Sequence, residues 1–261
     1  MMNKVNLVQL TPLITRPVVL KIGGNELDDP TFVDELARAI TTITPTPVLV
    51  HGGGKEIGAI QKALGGEPSF VAGLRVTDEI ALQSAEMVLC GAVSTRLIVA
   101  LMAAGADAQG MSGVDRGLIR VTKAIHPEGD LGRVGTPTSI RAEVLQTLLD
   151  QHVIPVVAPI SLGPDGAYNV NADEAAGAIA AALDATEVVF ITNVPGVLVD
   201  GVVADKLDTN QINALIDDGT INGGMLPKVR SALTALAAGV RMARITNLVG
   251  SQTKNGTSIV N

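Results

Sequence analysis

The chain has 261 residues, of which 47% are hydrophobic and 2% aromatic, and its 19 basic and 26 acidic residues give a net charge of −7. So acidic a chain has no general attraction for nucleic acid or an anionic membrane, and few rings are available to stack on bases. The single cysteine excludes an intramolecular disulfide, and the three scattered histidines lack zinc-site spacing. The first 16 residues carry no secretion signal, so we expect a cytoplasmic protein that binds a small molecule and neither nucleic acid nor membrane.

Strand-like and helix-like segments alternate from Pro17 onward. Residues 18–22 form a β-branched run that ends in Gly23-Gly24, and Asp29 and Pro30 are suited to be the N-cap and first residue of a helix that continues to residue 44. The other predicted strands are 47–50, 119–122, 155–160, 188–192, 240–245 and 257–260, and the other predicted helices are 55–64, 78–104 (one long helix or two joined), 138–152, 172–183, 209–218 and 228–238.

This alternation predicts an α/β fold, in which a mostly parallel open sheet is sandwiched between two layers of helices. No linker or repeat divides the chain, so residues 1–261 are predicted to form one domain. The turn at residues 161–167 is the expected boundary between its halves, 1–165 and 166–261. The longest apolar runs, such as residues 97–106, have about half the length needed to span a bilayer.

Three glycine-rich loops lie where a parallel sheet collects its ligands, at strand ends or before helices. Glycine lets the backbone approach an anion, and a helix N-terminus supplies free N–H groups. Because each loop has a lysine nearby, we favour phosphate binding over simple tight turns. The loops are Gly23-Gly24, Gly52-Gly53-Gly54 and Gly223-Gly224, and the lysines are Lys21, Lys55 and Lys228.

Two common nucleotide-binding motifs are absent from the sequence. A Walker A motif would need Gly in place of Leu49 and Ser or Thr in place of Glu56, and a dinucleotide fingerprint would need Gly in place of Ile57. Phosphoryl transfer to a carboxylate is still a possible reaction without these motifs. A carboxylate acceptor is already ionised and needs no general base, and the transferring group needs only positive charge and N–H donors to stabilise it. Lys21 lies in an apolar strand and needs a partner, which Asp173 could provide.

Six segments, in order and spanning nearly the whole chain, resemble the amino-acid kinase family. The resemblance implies an α/β/α sandwich that binds an acidic amino acid in its N-terminal half and ATP in its C-terminal half. The segments are Lys21-Ile22-Gly23-Gly24, Val50-His51-Gly52-Gly53-Gly54, Gly73-Leu74-Arg75-Val76-Thr77-Asp78, Asn169-Val170-Asn171-Ala172-Asp173, Thr192-Asn193-Val194-Pro195-Gly196-Val197-Leu198 and Gly223-Gly224-Met225-Leu226-Pro227-Lys228.

The same resemblance implies a role for each matching residue. Lys21 and Lys228 resemble the lysines that stabilise the transition state, and Asp173 the carboxylate that holds them. Gly24 resembles an N–H donor to the transferred group. Mg²⁺ is expected to be held through the phosphates of ATP and by no protein ligand. The acceptor-binding positions are Gly53, Gly54, Arg75, Asn169 and Asn171, and the nucleotide-binding positions are Asn193, Val194, Pro195, Gly196, Val197, Leu198, Thr220, Ile221 and Asn222.

Within the family, the motifs around Arg75 and Asn169 resemble those of members that phosphorylate N-acetyl-L-glutamate in arginine biosynthesis. The alternative acceptor is an N-acetylated or carrier-bound α-aminoadipate of lysine biosynthesis, since one additional methylene changes binding by only ~1–3 kcal/mol. A regulator without activity and a Rossmann oxidoreductase are weaker alternatives. The short segment before residue 17 favours a homodimer that arginine does not inhibit. Arg96 and Val114 depart from residues frequent in relatives.

Overall fold

The computed structural model describes residues 16–24, 26–71 and 74–261. Its strands are β1 (Val18–Ile22), β2 (Val48–His51), β3 (Phe70–Val71), β4 (Leu74–Arg75), β5 (Ala108–Gly113), β6 (Ile119–Lys123), β7 (Gly135–Ile140), β8 (Ile154–Gly163), β9 (Gly166–Asn169), β10 (Glu187–Ile191), β11 (Leu198–Val199), β12 (Val202–Val203), β13 (Lys206–Asp208), β14 (Ala243–Thr246) and β15 (Thr257–Val260). Its helices are α1 (Pro30–Ile40), α2 (Gly54–Ala63), α3 (Glu79–Ala85), α4 (Ser94–Ala103), α5 (Ala142–Leu149), α6 (Ala172–Ala182), α7 (Thr209–Asp217), α8 (Met225–Ala237) and α9 (Leu248–Thr253).

The central sheet has 11 strands in the order β13-β15-β14-β10-β1-β2-β8-β6-β7, with β5 and β9 also paired to β8. Strand β1 runs parallel to β10 on one side and β2 on the other, and Lys21 lies opposite Phe190 and Val50. Most other pairs are parallel too, while β6–β7, β8–β9 and β14–β15 are antiparallel. The carboxyl ends of β1, β2 and β10 therefore meet at one edge of the sheet.

Alternate strand residues supply two separate cores, one on each face of the sheet. Val19 packs into the core beneath α5, α6, α7 and α8, whereas Leu20 packs into the core beneath α1, α2, α4 and α9. Helices therefore cover both faces, which confirms the predicted three-layer α/β/α sandwich. Helix α1, which follows β1, covers one face of the sheet, and α6, which precedes β10, covers the other. The carboxyl ends of the neighbouring strands β1 and β10 therefore form a topological switch point, where ligands bind in such sheets.

The first helix begins as its sequence predicts. Asp29 is the N-cap, its carboxylate accepts a hydrogen bond from Thr31 N at 2.9 Å, and Pro30 takes the first helical position. Leu36 and Ile40, one turn apart, are buried against the sheet. Burial of this stripe holds the loop between β1 and α1 at the edge described above.

One continuous helix, Glu79–Ala103, joins α3 and α4 through a π-helical segment, Glu86–Val93. By length and composition alone this helix of 25 residues could cross a membrane, whereas the separate apolar runs of the sequence were expected to be too short. Its inward residues, such as Leu89 and Leu97, belong to the core beneath α1 and α4. In this fold those apolar residues cover one face of the sheet.

The predicted helix at residues 138–152 is wrong in its first part. Residues 135–140 form strand β7, antiparallel to β6, and the helix begins only at Ala142. β-Branched residues such as Thr136 and Ile140 favour a strand, and β7 is the last strand of the sheet, where Pro137 need not donate to a neighbour.

Other boundaries and elements also differ from the sequence prediction. Strand β8 continues to Gly163 and pairs with β9 from Gly166, so residues 161–167 belong to a hairpin within the sheet. Helix α8 begins at Met225, three residues before the predicted start. The short strands β3, β4, β5, β11, β12 and β13 were not expected. The predictions that concern residues 1–15 and Gly73 lie outside the described residues.

Candidate active site

A cavity of about 370 Å³ opens at the carboxyl ends of β1 and β10. It brings together five of the predicted site residues: Lys21, Gly24, Gly54, Asp173 and Lys228. These residues come from the ends of strands and the starts of helices α2, α6 and α8. The remaining lining residues are Gly23, Glu26, Phe190, Ile191, Thr192, Gly224 and Pro227.

Two of the glycine loops are in direct backbone contact. A Cβ atom on Gly24 would lie 2.5 Å from the amide nitrogens of both Gly53 and Gly54, so no other residue fits without moving backbone. Gly52 N also donates to Ile22 O at 3.1 Å, which ties the second loop to the end of β1. Helix α2 starts at Gly54, and among the described residues no side chain caps it, so its N-terminal N–H groups can face an anion.

Lys21 and Asp173 form an ion pair inside the cavity. Lys21 Nζ lies 2.8 Å from Asp173 Oδ1, and the two side chains are 19% and 18% exposed. Although the separation is that of an ion pair, the contact lacks hydrogen-bond alignment, and Asp173 Oδ1 accepts no aligned hydrogen bond from the described residues. This pairing confirms the partner predicted for Lys21 and holds its ammonium group at the cavity wall.

Lys228 reaches the same cavity from helix α8. Its Nζ donates to Gly224 O at 3.1 Å, one turn earlier, and the N-cap residue, Gly224, has no side chain to cap the helix. Asp173 connects to this helix through Ser231, whose Oγ lies 2.9 Å from Asp173 Oδ2. Ser231 was not among the predicted site residues, although it follows Lys228 by three residues and so shares its helix face.

The predicted acceptor site lies next to the glycine loops, around Arg75. Arg75 Nη2 donates to Gly54 O at 3.1 Å, and Nη1 donates to Gln61 Oε1 at 3.0 Å. Its guanidinium lies 5.0 Å from the centre of the Phe70 ring, and burial lowers the pKa of Arg75 from its usual value. Gln61 is itself buried and donates to Glu67 O, so it holds the arginine in place. Nothing in the sequence of α2 indicated that the polar side chain of Gln61 would be buried.

The two predicted asparagines have different surroundings. Asn169 Nδ2 lies 3.3 Å from Thr77 Oγ1, which places Asn169 beside the segment that follows Arg75. Asn171 is instead the N-cap of α6, and its Oδ1 accepts from Asp173 N at 2.8 Å. Its side chain therefore positions Asp173.

The predicted nucleotide loops flank the cavity on its C-terminal side. Thr192 lines the cavity and its Oγ1 accepts from Val194 N at 3.0 Å, so the loop from Asn193 follows directly. Val197 and Ile221 are buried in the core, which leaves only their backbones for a ligand. Thr220 N donates to Asp218 Oδ1 at 2.9 Å, and Asn222 Nδ2 to Gly219 O at 2.7 Å.

His51, just before the glycine loop, is fully buried, and desolvation lowers its pKa to about 4. The imidazole is therefore neutral near pH 7. Among the described residues, no group of three His, Cys, Asp or Glu side chains is arranged to hold a metal ion.

A cavity that presents two ammonium groups and an uncapped helix N-terminus to an anion is the kind of site that phosphotransferases use. The model of the amino acid kinase family matches residues 16–247. The chain belongs to this family, and it is a kinase that uses ATP and a small-molecule acceptor.

Proteins with similar sequences support the assignment to this family. The chain is 68% identical over 243 residues to a protein of Roseiflexus sp. (strain RS-1) named acetylglutamate kinase, covering 93% of each chain. It is 48% identical over 235 residues to the acetylglutamate kinase of Chloroflexus aggregans (strain MD-66 / DSM 9485), covering 89% of this chain and 92% of the relative.

Solved structures share the fold. A protein of Streptococcus mutans UA159 superposes with a TM-score of 0.75 at 30% identity, covering 93% of this chain and 98% of that one. The N-acetylglutamate synthase of Neisseria gonorrhoeae, in complex with coenzyme A and L-arginine, gives 0.79 at 24% identity and covers 94% of this chain and 61% of that one. At this identity the second likeness concerns the fold alone.

Proposed function

We propose that this chain transfers the γ-phosphoryl group of ATP to the side-chain carboxylate of N-acetyl-L-glutamate, as a step of arginine biosynthesis. The observation that carries the proposal is the single cavity that Lys21, Lys228, Asp173 and the glycine loops share. The similarity to proteins named acetylglutamate kinase, over 93% of each chain for the Roseiflexus protein, supports this acceptor.

The chemistry requires charge stabilisation and no proton transfer from the acceptor. A carboxylate oxygen attacks the γ-phosphorus, the bond from that phosphorus to the β–γ bridging oxygen breaks, and ADP leaves with both electrons of the bond. Lys21, Lys228 and the N–H groups at Gly24 and Gly54 are suited to stabilise the negative charge on the transferring oxygens. Mg²⁺ would enter with the nucleotide phosphates, because Asp173 is already paired with Lys21.

The acceptor would bind on the N-terminal half, residues 1–165, and ATP on the C-terminal half, residues 166–261. Arg75 supports the first assignment. Its contacts with Gln61 and Gly54 use two of its five N–H donors, and the rest can grip an α-carboxylate. Asn169, which belongs to the C-terminal half but lies next to Thr77, would complete the acceptor site, and the loops 193–198 and 220–222 would hold the nucleotide. We further propose that the chain acts in the cytoplasm as a homodimer.

The test is formation of an acyl phosphate that depends on ATP and Mg²⁺, trapped as the hydroxamate. N-acetylglutamate and N-acetyl-α-aminoadipate are compared by kcat/KM, and Lys21→Ala is compared with Lys62→Ala, which removes an exposed lysine far along α2. We expect preference for N-acetylglutamate, lost in Lys21→Ala and kept in Lys62→Ala. Preference for the longer acid would assign the chain to lysine biosynthesis, and no turnover with either acid would refute the proposed acceptor.

A further inference from the structure

Ser231 is the hydrogen-bonded link between the Lys21–Asp173 ion pair and helix α8. Its hydroxyl oxygen lies 2.9 Å from Asp173 Oδ2 and 3.0 Å from Pro227 O. Asp173 uses its other oxygen, Oδ1, for Lys21. The two oxygens of one carboxylate thus contact β1 and α8 at the same time.

The single hydroxyl proton of Ser231 can be donated to Asp173 Oδ2 or to Pro227 O, and the bond to Asp173 is the stronger of the two. Pro227 O lies four residues earlier in α8, where regular helix geometry already gives it the N–H of Ser231. An ionised Asp173 offers a charge-assisted hydrogen bond, which is roughly twice as strong as a neutral one. The proton therefore belongs to the bond with Asp173.

Lys228 lies on the same helix as Ser231. Lys228 lies three residues before Ser231 on the same helix, and its own ammonium contacts Gly224 O. Within residues 16–24, 26–71 and 74–261, Ser231 provides the hydrogen bond from α8 to Asp173. The helices α6 and α8 are also close-packed, since a Cβ on Gly177 would lie 3.1 Å from Ala235 Cβ. A small rotation of α8 would thus be resisted by packing and by the Ser231 bond together.

We propose that Ser231 is a positioning residue, which orients Asp173 between Lys21 and α8 and so sets the separation of the two lysines in the transition state. The proposal rests on the phosphoryl transfer proposed above. Lys21 and Lys228 stabilise charge that develops during transfer, so an error in their separation lowers kcat more than it weakens binding of either substrate.

The first test is a kcat and KM comparison with a matched control. Ser231→Ala should lower kcat about 10–100-fold, with the KM values of ATP and acceptor changed less than about threefold. Ser231→Thr keeps the hydroxyl, and the groove of about 280 Å³ beside Ser231 has room for its methyl group, so it should recover most of kcat. The control is Thr234→Ala, since Thr234 Oγ1 makes the same type of bond to Arg230 O, at 2.9 Å, away from Asp173.

The second test uses no acceptor and therefore separates this proposal from the proposed function. ADP with Mg²⁺ and aluminium fluoride imitates the transferring phosphoryl group, and calorimetry measures its affinity. Ser231→Ala should weaken this complex about 10–100-fold and leave the affinity for ADP and Mg²⁺ alone unchanged. Equal losses in Thr234→Ala, full kcat in Ser231→Ala, or analogue binding that is unchanged would each overturn the role of Ser231. A wild-type protein inactive on both acids would refute only the proposed acceptor.

Discussion

Gly24 is the position where the two glycine loops approach each other, and an added methyl group there has a calculable effect. In Gly24→Ala the new Cβ would lie 2.5 Å from the amide nitrogens of Gly53 and Gly54. Ordinary contact begins near 3.4 Å, so the loops must separate by about 1 Å. A displacement of this size at a transferring group lowers turnover by about 100-fold, and the overpacking lowers the free energy of unfolding by about 1–3 kcal/mol.

The assay is steady-state hydroxamate formation, with unfolding in urea and circular dichroism to show that the variant is folded. The matched control is Gly91→Ala, because a Cβ there has no neighbour within 4 Å among the described residues and the position is helical. We expect Gly91→Ala to keep full activity and to be equally or more stable. A folded Gly24→Ala protein with more than about a third of wild-type kcat would refute the argument that the loops must touch.

Three further predictions concern other parts of the molecule. Burial lowers the pKa of His51 from 6.5 to about 4, so between these pH values the unfolded state binds more protons than the folded state. The free energy of unfolding should therefore be unaffected by His51 above pH 6.5 and fall by about 3 kcal/mol as the pH is lowered to 4. Urea unfolding of His51→Gln across this pH range should show a smaller loss of stability. Arg244 Nε donates to Glu187 Oε2 at 2.8 Å, and both side chains are buried. In urea unfolding, Glu187→Leu alone should lower the free energy of unfolding by about 3–5 kcal/mol, because it leaves a buried charge without its partner. The double variant Glu187→Leu with Arg244→Met should unfold with nearly the wild-type free energy. Arg75→Lys should raise the acceptor KM about 10–100-fold with kcat little changed, because an ammonium group cannot bond both carboxylate oxygens; an unchanged KM would remove Arg75 from the acceptor site.

Local sequence patterns predicted the parts of the site that depend on neighbouring residues. Asp29-Pro30 marked the start of α1, and the glycines after β1 and β2 marked two loops whose backbones closely approach each other. The apolar strand around Lys21 indicated that this lysine needs a partner, which the structure supplies. Each of these follows from chemistry that a few adjacent residues carry.

Other features depended on neighbours that are distant in sequence. Residues 138–140 were predicted as helix, yet pairing with β6 makes them a strand. A helical serine usually bonds the carbonyl four residues earlier, so nothing in the sequence distinguished Ser231 from Thr234 until Asp173 was seen beside it.

The sequence by itself determined the class of fold, the glycine loops and the charged residues that we propose for phosphoryl transfer, because these depend on periodicity and composition over short stretches. The tertiary structure decided which of these groups meet. Lys21 and Asp173 come together because β10 lies beside β1 and α6 covers the opposite face from α1. The order of strands in a sheet depends on packing of the whole chain, and no local pattern in the sequence encodes it.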